Sequence, residues 1–78
     1  MFDLAETGRL LKEAAKASPY RVGKIAEMMG ISPRAIYVWF RGDSLPSIDN
    51  LFLYAEIVGK SVDELVAYKP MYENKKIA

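Results

Sequence analysis

Ile25-Ala26-Glu27-Met28-Met29-Gly30-Ile31-Ser32-Pro33-Arg34-Ala35-Ile36-Tyr37-Val38-Trp39-Phe40-Arg41-Gly42 is the stretch whose reading decides the fold. Gly30 stands where an apolar periodic segment stops, and a glycine there closes a helix in the left-handed conformation. Ser32-Pro33 starts another. Serine supplies an N-cap acceptor, and proline suits the first helical position, whose N–H has no partner inside the helix. Gly42 closes this second segment. Helices separated by so short a turn cannot lie side by side and must cross steeply. In the second helix Ala35, Ile36, Trp39 and Phe40 share one face, and Arg34, Tyr37, Val38 and Arg41 share the other. The first set is core; the second faces solvent or a ligand. Trp39 lies opposite Arg34 on the helical wheel and is assigned to the core, not to a stacking surface.

Working outward, the segment before this pair opens with Asp3-Leu4-Ala5-Glu6, an N-cap followed three residues on by a carboxylate. Leu4, Thr7, Gly8, Leu11, Ala14 and Ala15 then fall on one helical face; half of them are Gly or Ala, which lets a neighbouring helix come close. Arg9, Lys12, Glu13 and Lys16 lie on the other side. Ser18-Pro19 ends this helix. The next covers about Arg21 to Met29, or starts earlier with Ser18-Pro19 as its N-cap and first helical residue, and buries Ile25, Ala26 and Met29 firmly, with Val22 or Tyr20 weakly. Beyond Gly42, Asp43-Ser44-Leu45-Pro46 is a loop. Ser47 caps a fourth helix, Ile48 to Val58, with Ile48, Leu51, Tyr54, Ala55 and Val58 as its inner stripe and Phe52 at the edge. Ser61-Val62-Asp63-Glu64 is a capping box opening a short fifth helix that ends near Tyr68. The expected division is one domain over residues 1–69 and a tail over 70–78, frayed or partner-bound.

Composition limits what such a chain can do. Its 78 residues suffice for one domain, and an apolar content of 51% suits a small helical core. It holds neither Cys nor His, which removes disulfides, thiolate or imidazole metal sites and the commonest general base. No catalytic constellation, metal site, cofactor or small-molecule substrate is evident, and the expectation is a non-enzyme. The longest apolar run, Ala35 to Phe40, is far short of the ~20 residues a membrane span requires. Asp3 and Glu6 interrupt the apolar residues that a signal peptide would need, so the expected location is cytoplasmic. Net charge is +1, but it is unevenly spread. From Arg9 to Arg41 there are seven basic and two acidic residues, +5; the remainder has four basic and eight acidic, −4. A basic front half is the footprint of a polyanion site or, more simply, a solvated helix face.

Gly30-Ile31-Ser32, Ile36, Trp39, Arg41-Gly42, Leu45-Pro46-Ser47-Ile48, Asn50-Leu51, Ala55-Glu56, Gly59 and Ser61-Val62-Asp63-Glu64-Leu65 resemble the phage Cro and repressor-type helix-turn-helix family, also called XRE-like. The resemblance covers roughly Thr7 to Leu65 and is most specific from Arg41 onward. It implies an all-α, compact five-helix bundle of the lambda-repressor-like type that binds double-stranded DNA, usually as a dimer, and acts on transcription. The third helix, about Pro33 to Arg41, would be the recognition helix and the second would cross the backbone. On that pattern the base-reading positions are Val22, Pro33, Arg34, Tyr37 and Val38, and phosphate contacts fall to Arg21, Lys24, Ser32, Arg41 and Ser44.

The chain departs from the family's pattern in ways that matter chemically. Members often have Gln where this chain has Val22, a Gln, Ser or Thr near Pro33 and a polar residue at Val38, whereas this sequence contains no Gln. A Gln amide bonds an adenine edge in bidentate fashion; Val and Pro offer only apolar contact. Base readout therefore rests on Arg34, suited to a guanine edge at about 1–3 kcal/mol of discrimination, and on the Tyr37 hydroxyl. Many members also carry Glu at the position of Phe40 and a base near Ala15; an apolar pair there is a core exchange. Leu53 and Ile57, one turn apart on the outward side of the fourth helix, would form an apolar patch with Tyr68, Met71 and Tyr72, expected to join a homodimer. The sequence thus predicts a sequence-specific DNA-binding regulator of the small phage or bacterial repressor type. The alternative is a protein-interaction module that kept the fold and lost base reading, favoured by an apolar Val22, Pro33 and Val38 surface.

Overall fold

Each helix starts and stops for a local reason. In the computed structural model, which describes residues 1–70, the Asp3 carboxylate accepts the Glu6 N–H at 3.0 Å and opens α1, Leu4–Ala17. The Ser18 hydroxyl then donates to the Ala15 carbonyl at 2.8 Å and ends it. α2, Val22–Met29, stops at Gly30 and α3, Pro33–Arg41, at Gly42, where φ is 72° and 79°; only glycine takes these left-handed values without strain. α4, Ile48–Val58, begins where Ser47 accepts the Asn50 N–H at 3.2 Å and ends at Gly59.

The helices pack by their apolar faces. α3 lies against α1 and α2, while α4 covers α2 and α1. Leu11, Ile25, Ile36, Tyr54 and Leu65 are essentially sealed from solvent at the centre, ringed by Ala14, Ala15, Ala26, Met29, Trp39, Ala55 and Val58. Tyr54 joins three helices. Its hydroxyl donates to the Leu11 carbonyl of α1 at 2.6 Å, and its ring meets Trp39 of α3 edge-on at 6.2 Å. The α1–α3 contact is backbone-close, because a Cβ on Gly8 would sit 2.5 Å from the carbonyl oxygens of Trp39 and Phe40.

The two ends of the fold are tied together, which helical periodicity gives no means of anticipating. Phe2 and Tyr68 form an antiparallel bridge with rings edge-to-face at 5.4 Å. The Asp3 N–H donates to the Ala67 carbonyl at 2.9 Å and the Lys69 N–H to the Met1 carbonyl at 2.7 Å. Thr7, fully buried in α1, accepts the Ala67 N–H on its hydroxyl at 2.9 Å.

That tie explains the first of four corrections. The expected fifth helix is a single 3-10 turn, Val62–Glu64. Its capping residues behave as anticipated, since the Glu64 carboxylate accepts the Ser61 N–H and hydroxyl, each at 2.9 Å. After Leu65 plugs into the core, the chain is drawn out straight to pair with residues 1–3 and cannot keep winding. Second, Ile48 is 74% exposed instead of on the inner stripe, and Phe52 is 60% exposed. A side chain at the first helical position leans back toward the helix N-terminus, and here that direction leads to solvent. Third, Leu53 and Ile57 do not face outward; both are half-buried against the core, on a helix that packs on the 3-10 turn. Fourth, Leu4 is partly exposed rather than on the buried face of α1, and Val38 is half-buried rather than turned to solvent. Met71 and Tyr72, named with the apolar patch, lie outside the described residues.

Candidate nucleic-acid interface

The pair α2–α3 presents one surface built from the starts of two helices and the outer side of the second. α2 and α3 differ from α1 and α4 at their N-termini: Arg21 does not cap its helix through a side-chain hydrogen bond, nor, contrary to the expected N-cap, does Ser32, and neither helix has an acidic residue in its first turn. Their leading N–H groups and the positive ends of their dipoles are therefore left for an outside acceptor, and an anion is the natural one. Pro33 at the start of α3 removes one N–H from that set and fixes the backbone there.

Side chains add cations and hydroxyls around these termini. Arg34, Tyr37 and Arg41 are exposed along the outer side of α3, and Arg21, Lys24, Ser32 and Ser44 are exposed on the flanking turns and α2. Arg41 is paired with Asp43 at 2.9 Å and Lys24 with Glu27 at 3.3 Å, both open to solvent, so each pair yields readily to a stronger anion. Among the described residues Arg34 and Arg21 form no ion pair, leaving both guanidinium forks free to dock bidentately.

The structure gathers some candidate residues and separates others. Arg21, Val22, Tyr37 and Arg41 line a single groove between α1, the turn before α2, and α3. Pro33, Arg34 and Ser32 cluster at the start of α3, and Ser44 sits in the loop beyond its end. Val22 and Val38 are half-buried and pack against the core, which makes them supports of the surface more than parts of it. Tyr37 stands on Phe40, edge-to-face at 5.8 Å, which limits the directions its hydroxyl can take. Lys12, Lys16 and Tyr20 also line the groove, and the family pattern does not point to them. A signal was present in the sequence: Lys12 and Lys16 are one turn apart on α1, flanking the small Ala15.

A helix-turn-helix family profile matches residues 11–65, from the core leucine of α1 through the plug at Leu65. The chain belongs to the XRE-type helix-turn-helix family. Members of this family are DNA-binding regulators of transcription, and the bundle seen here is of the lambda-repressor-like kind. Among solved structures, it is similar to the P22 c2 repressor in complex with a synthetic operator, with 27% identity, a TM-score of 0.70, and coverage of 76% of this chain and 89% of that one. It also shares its fold with the restriction-modification controller protein C.AhdI from Aeromonas hydrophila, at 24% identity and a TM-score of 0.73 over 81% of this chain and 96% of that one. A third likeness of fold is to the SOS-response repressor LexA from Eubacterium rectale, at 19% identity and a TM-score of 0.71 over 88% of this chain and 73% of that one. No curated protein sequence matches. Among the described residues no helix of this XRE-type chain is long and apolar enough to cross a membrane.

Proposed function

We propose that this chain is a sequence-specific DNA-binding transcriptional regulator that lays α3 in the major groove. The observation that carries the reading is Arg34: exposed, without an ion pair among the described residues, and placed in the first turn of a helix whose N-terminus is uncapped and free of acids. In this reading Arg21, Lys24, Arg41, Ser32, Ser44 and the leading N–H groups of α2 and α3 hold phosphates and set the register. Arg34 reads a guanine edge, Tyr37 adds one hydroxyl contact and the exposed Pro33 offers only apolar contact, with Val22 and Val38 behind them as supports. The P22 c2 repressor, similar over most of its length, is a protein bound to an operator, which supports the same mode here.

One arginine per half-site gives modest discrimination, so two copies must share the work. We infer a homodimer that sets two α3 helices about 34 Å apart on one side of the duplex. The interaction-module alternative loses its main support, because Val22 and Val38 are half-buried and do not form an exposed apolar surface.

Selecting binding sites from random DNA tests binding, reading and spacing together. The expected result is two half-sites with centres about 10 base pairs apart, each containing an invariant guanine. Arg34→Ala should relax the preference at that guanine by about 1–3 kcal/mol with the fold intact. Binding should weaken steeply with salt as phosphate counterions are released. Enrichment of no sequence, with no duplex bound even at low salt, would refute the reading.

A further inference from the structure

The groove between α1 and α3 has a chemistry that a duplex does not use. Its volume is about 780 Å³, within the roughly 300–1,000 Å³ range of small-molecule sites. It is lined by three aromatic residues, Tyr20, Tyr37 and Phe40, and by the small Ala15. Four cations, Lys12, Lys16, Arg21 and Arg41, line it as well, and among the described residues no carboxylate does. The nearest acids already answer two of these: Glu13 approaches Lys16 at 4.0 Å and Asp43 holds Arg41 at 2.9 Å. Lys12 and Arg21 form no ion pair among the described residues. A DNA backbone is a convex ridge of phosphates and sugars. It satisfies the cations but has no flat apolar face to set against three aromatic rings. The matching occupant has a planar apolar body for the aromatic residues and one anionic group for the cations.

We propose that this groove is a binding site for small aromatic anions, of the aryl carboxylate class. The groove shares Arg21, Tyr37 and Arg41 with the DNA contact surface, so occupancy excludes the duplex and the ligand acts as an inducer; this second part rests on the DNA-binding reading above.

Titration of the full chain with 2-naphthoate, followed by heteronuclear NMR, tests the site without DNA. The expected result is saturable shifts confined to the groove, including Lys12, Lys16, Tyr20 and Phe40, with a dissociation constant on the order of 1 mM or lower. The uncharged analogue 2-naphthalenemethanol should bind at least tenfold more weakly. Tyr20→Ala and Lys12→Ala, both at exposed positions, should each weaken naphthoate by about fivefold while the spectrum stays dispersed, the size expected for one contact of a weak ligand. Shifts that fail to saturate or scatter over the surface would overturn the site, and equal binding of the alcohol would overturn the anion assignment. In a second arm, naphthoate at ten times its dissociation constant should raise the apparent dissociation constant for DNA about elevenfold, with equimolar acetate as the ionic control. Unchanged DNA affinity with the groove filled would refute the inducer role. Failure to bind DNA in acetate alone would instead refute the DNA reading and leave the NMR result standing.

Discussion

A methyl group at Gly8 would meet two backbone carbonyls of α3 at 2.5 Å, and neither can be moved by a change of rotamer. Gly8→Ala must push α1 away from α3, so it should cost about 2–3 kcal/mol in urea unfolding. Gly23, in the first turn of α2, has no left-handed φ, and a methyl added there would find nothing within 4 Å. Gly23→Ala should therefore stabilise by about 0.5 kcal/mol, because the unfolded chain loses freedom while the folded one meets no clash. A Gly8→Ala variant as stable as the parent would show that the two helices are not held at this distance. Tyr54 behaves differently. Burial pushes its phenol pKa up from the ordinary 10.0. The folded protein then keeps a proton that the unfolded chain releases, so stability is full below about pH 10 and declines above it, by up to about 1.4 kcal/mol per pH unit. Tyr54→Phe should flatten that alkaline decline in thermal scans, at the expense of about 1 kcal/mol for the lost hydrogen bond to Leu11.

At the scale of the element, the four helix starts divide into two kinds. Asp3 and Ser47 cap α1 and α4 with side-chain bonds, whereas Ser32 and Arg21 leave α3 and α2 open. Ser47→Ala should destabilise by about 1 kcal/mol in thermal unfolding, as loss of an N-cap does. Ser32→Ala should leave stability within about 0.5 kcal/mol, because its hydroxyl caps nothing. On the DNA-binding reading, the same change should weaken duplex affinity about fivefold, the size of one hydrogen bond to a phosphate. If Ser32→Ala unfolds the protein as readily as Ser47→Ala, the contrast between the helix starts has no energetic meaning. The bounds of α4 were legible in the sequence, from Ser47 to Gly59, because caps act locally. Its rotation was not. Ile48, Leu53 and Ile57 all fit an amphipathic pattern, and only the positions of α1, α2 and the 3-10 turn decide which of them is covered.

Across the whole molecule, the tie between residues 1–3 and 67–69 closes the bundle, with Thr7 as its buried anchor. Thr7→Val keeps the shape but leaves the Ala67 N–H without its acceptor, at about 1–3 kcal/mol. The Asp3 and Lys69 amides, which donate across the tie, should then lose hydrogen-exchange protection before those of α2 and α3 do. Unchanged protection at both amides would show that Thr7 does not hold the two ends together. The α1–α3 groove also exists only at this scale, since Lys12 and Lys16 come from one helix and Tyr37 and Phe40 from another.

The sequence by itself determined the four α-helices, the caps of α1 and α4, the glycine stops at positions 30 and 42, and a core centred on Leu11, Ile25, Ile36 and Tyr54. These follow from interactions among residues a few positions apart and from a 3.6-residue apolar period, both of which the chain carries in its order. It also marked Arg34 as an outward cation, because that follows from helical spacing alone. Only the tertiary structure decided that Val22 and Val38 lean into the core, that Leu53 and Ile57 are half covered, and that the chain after Glu64 straightens to meet residues 1–3. The physical reason is shared: burial at the margin of a helix face, and the winding of a weak terminal turn, differ by energies smaller than those of the long-range contacts that override them.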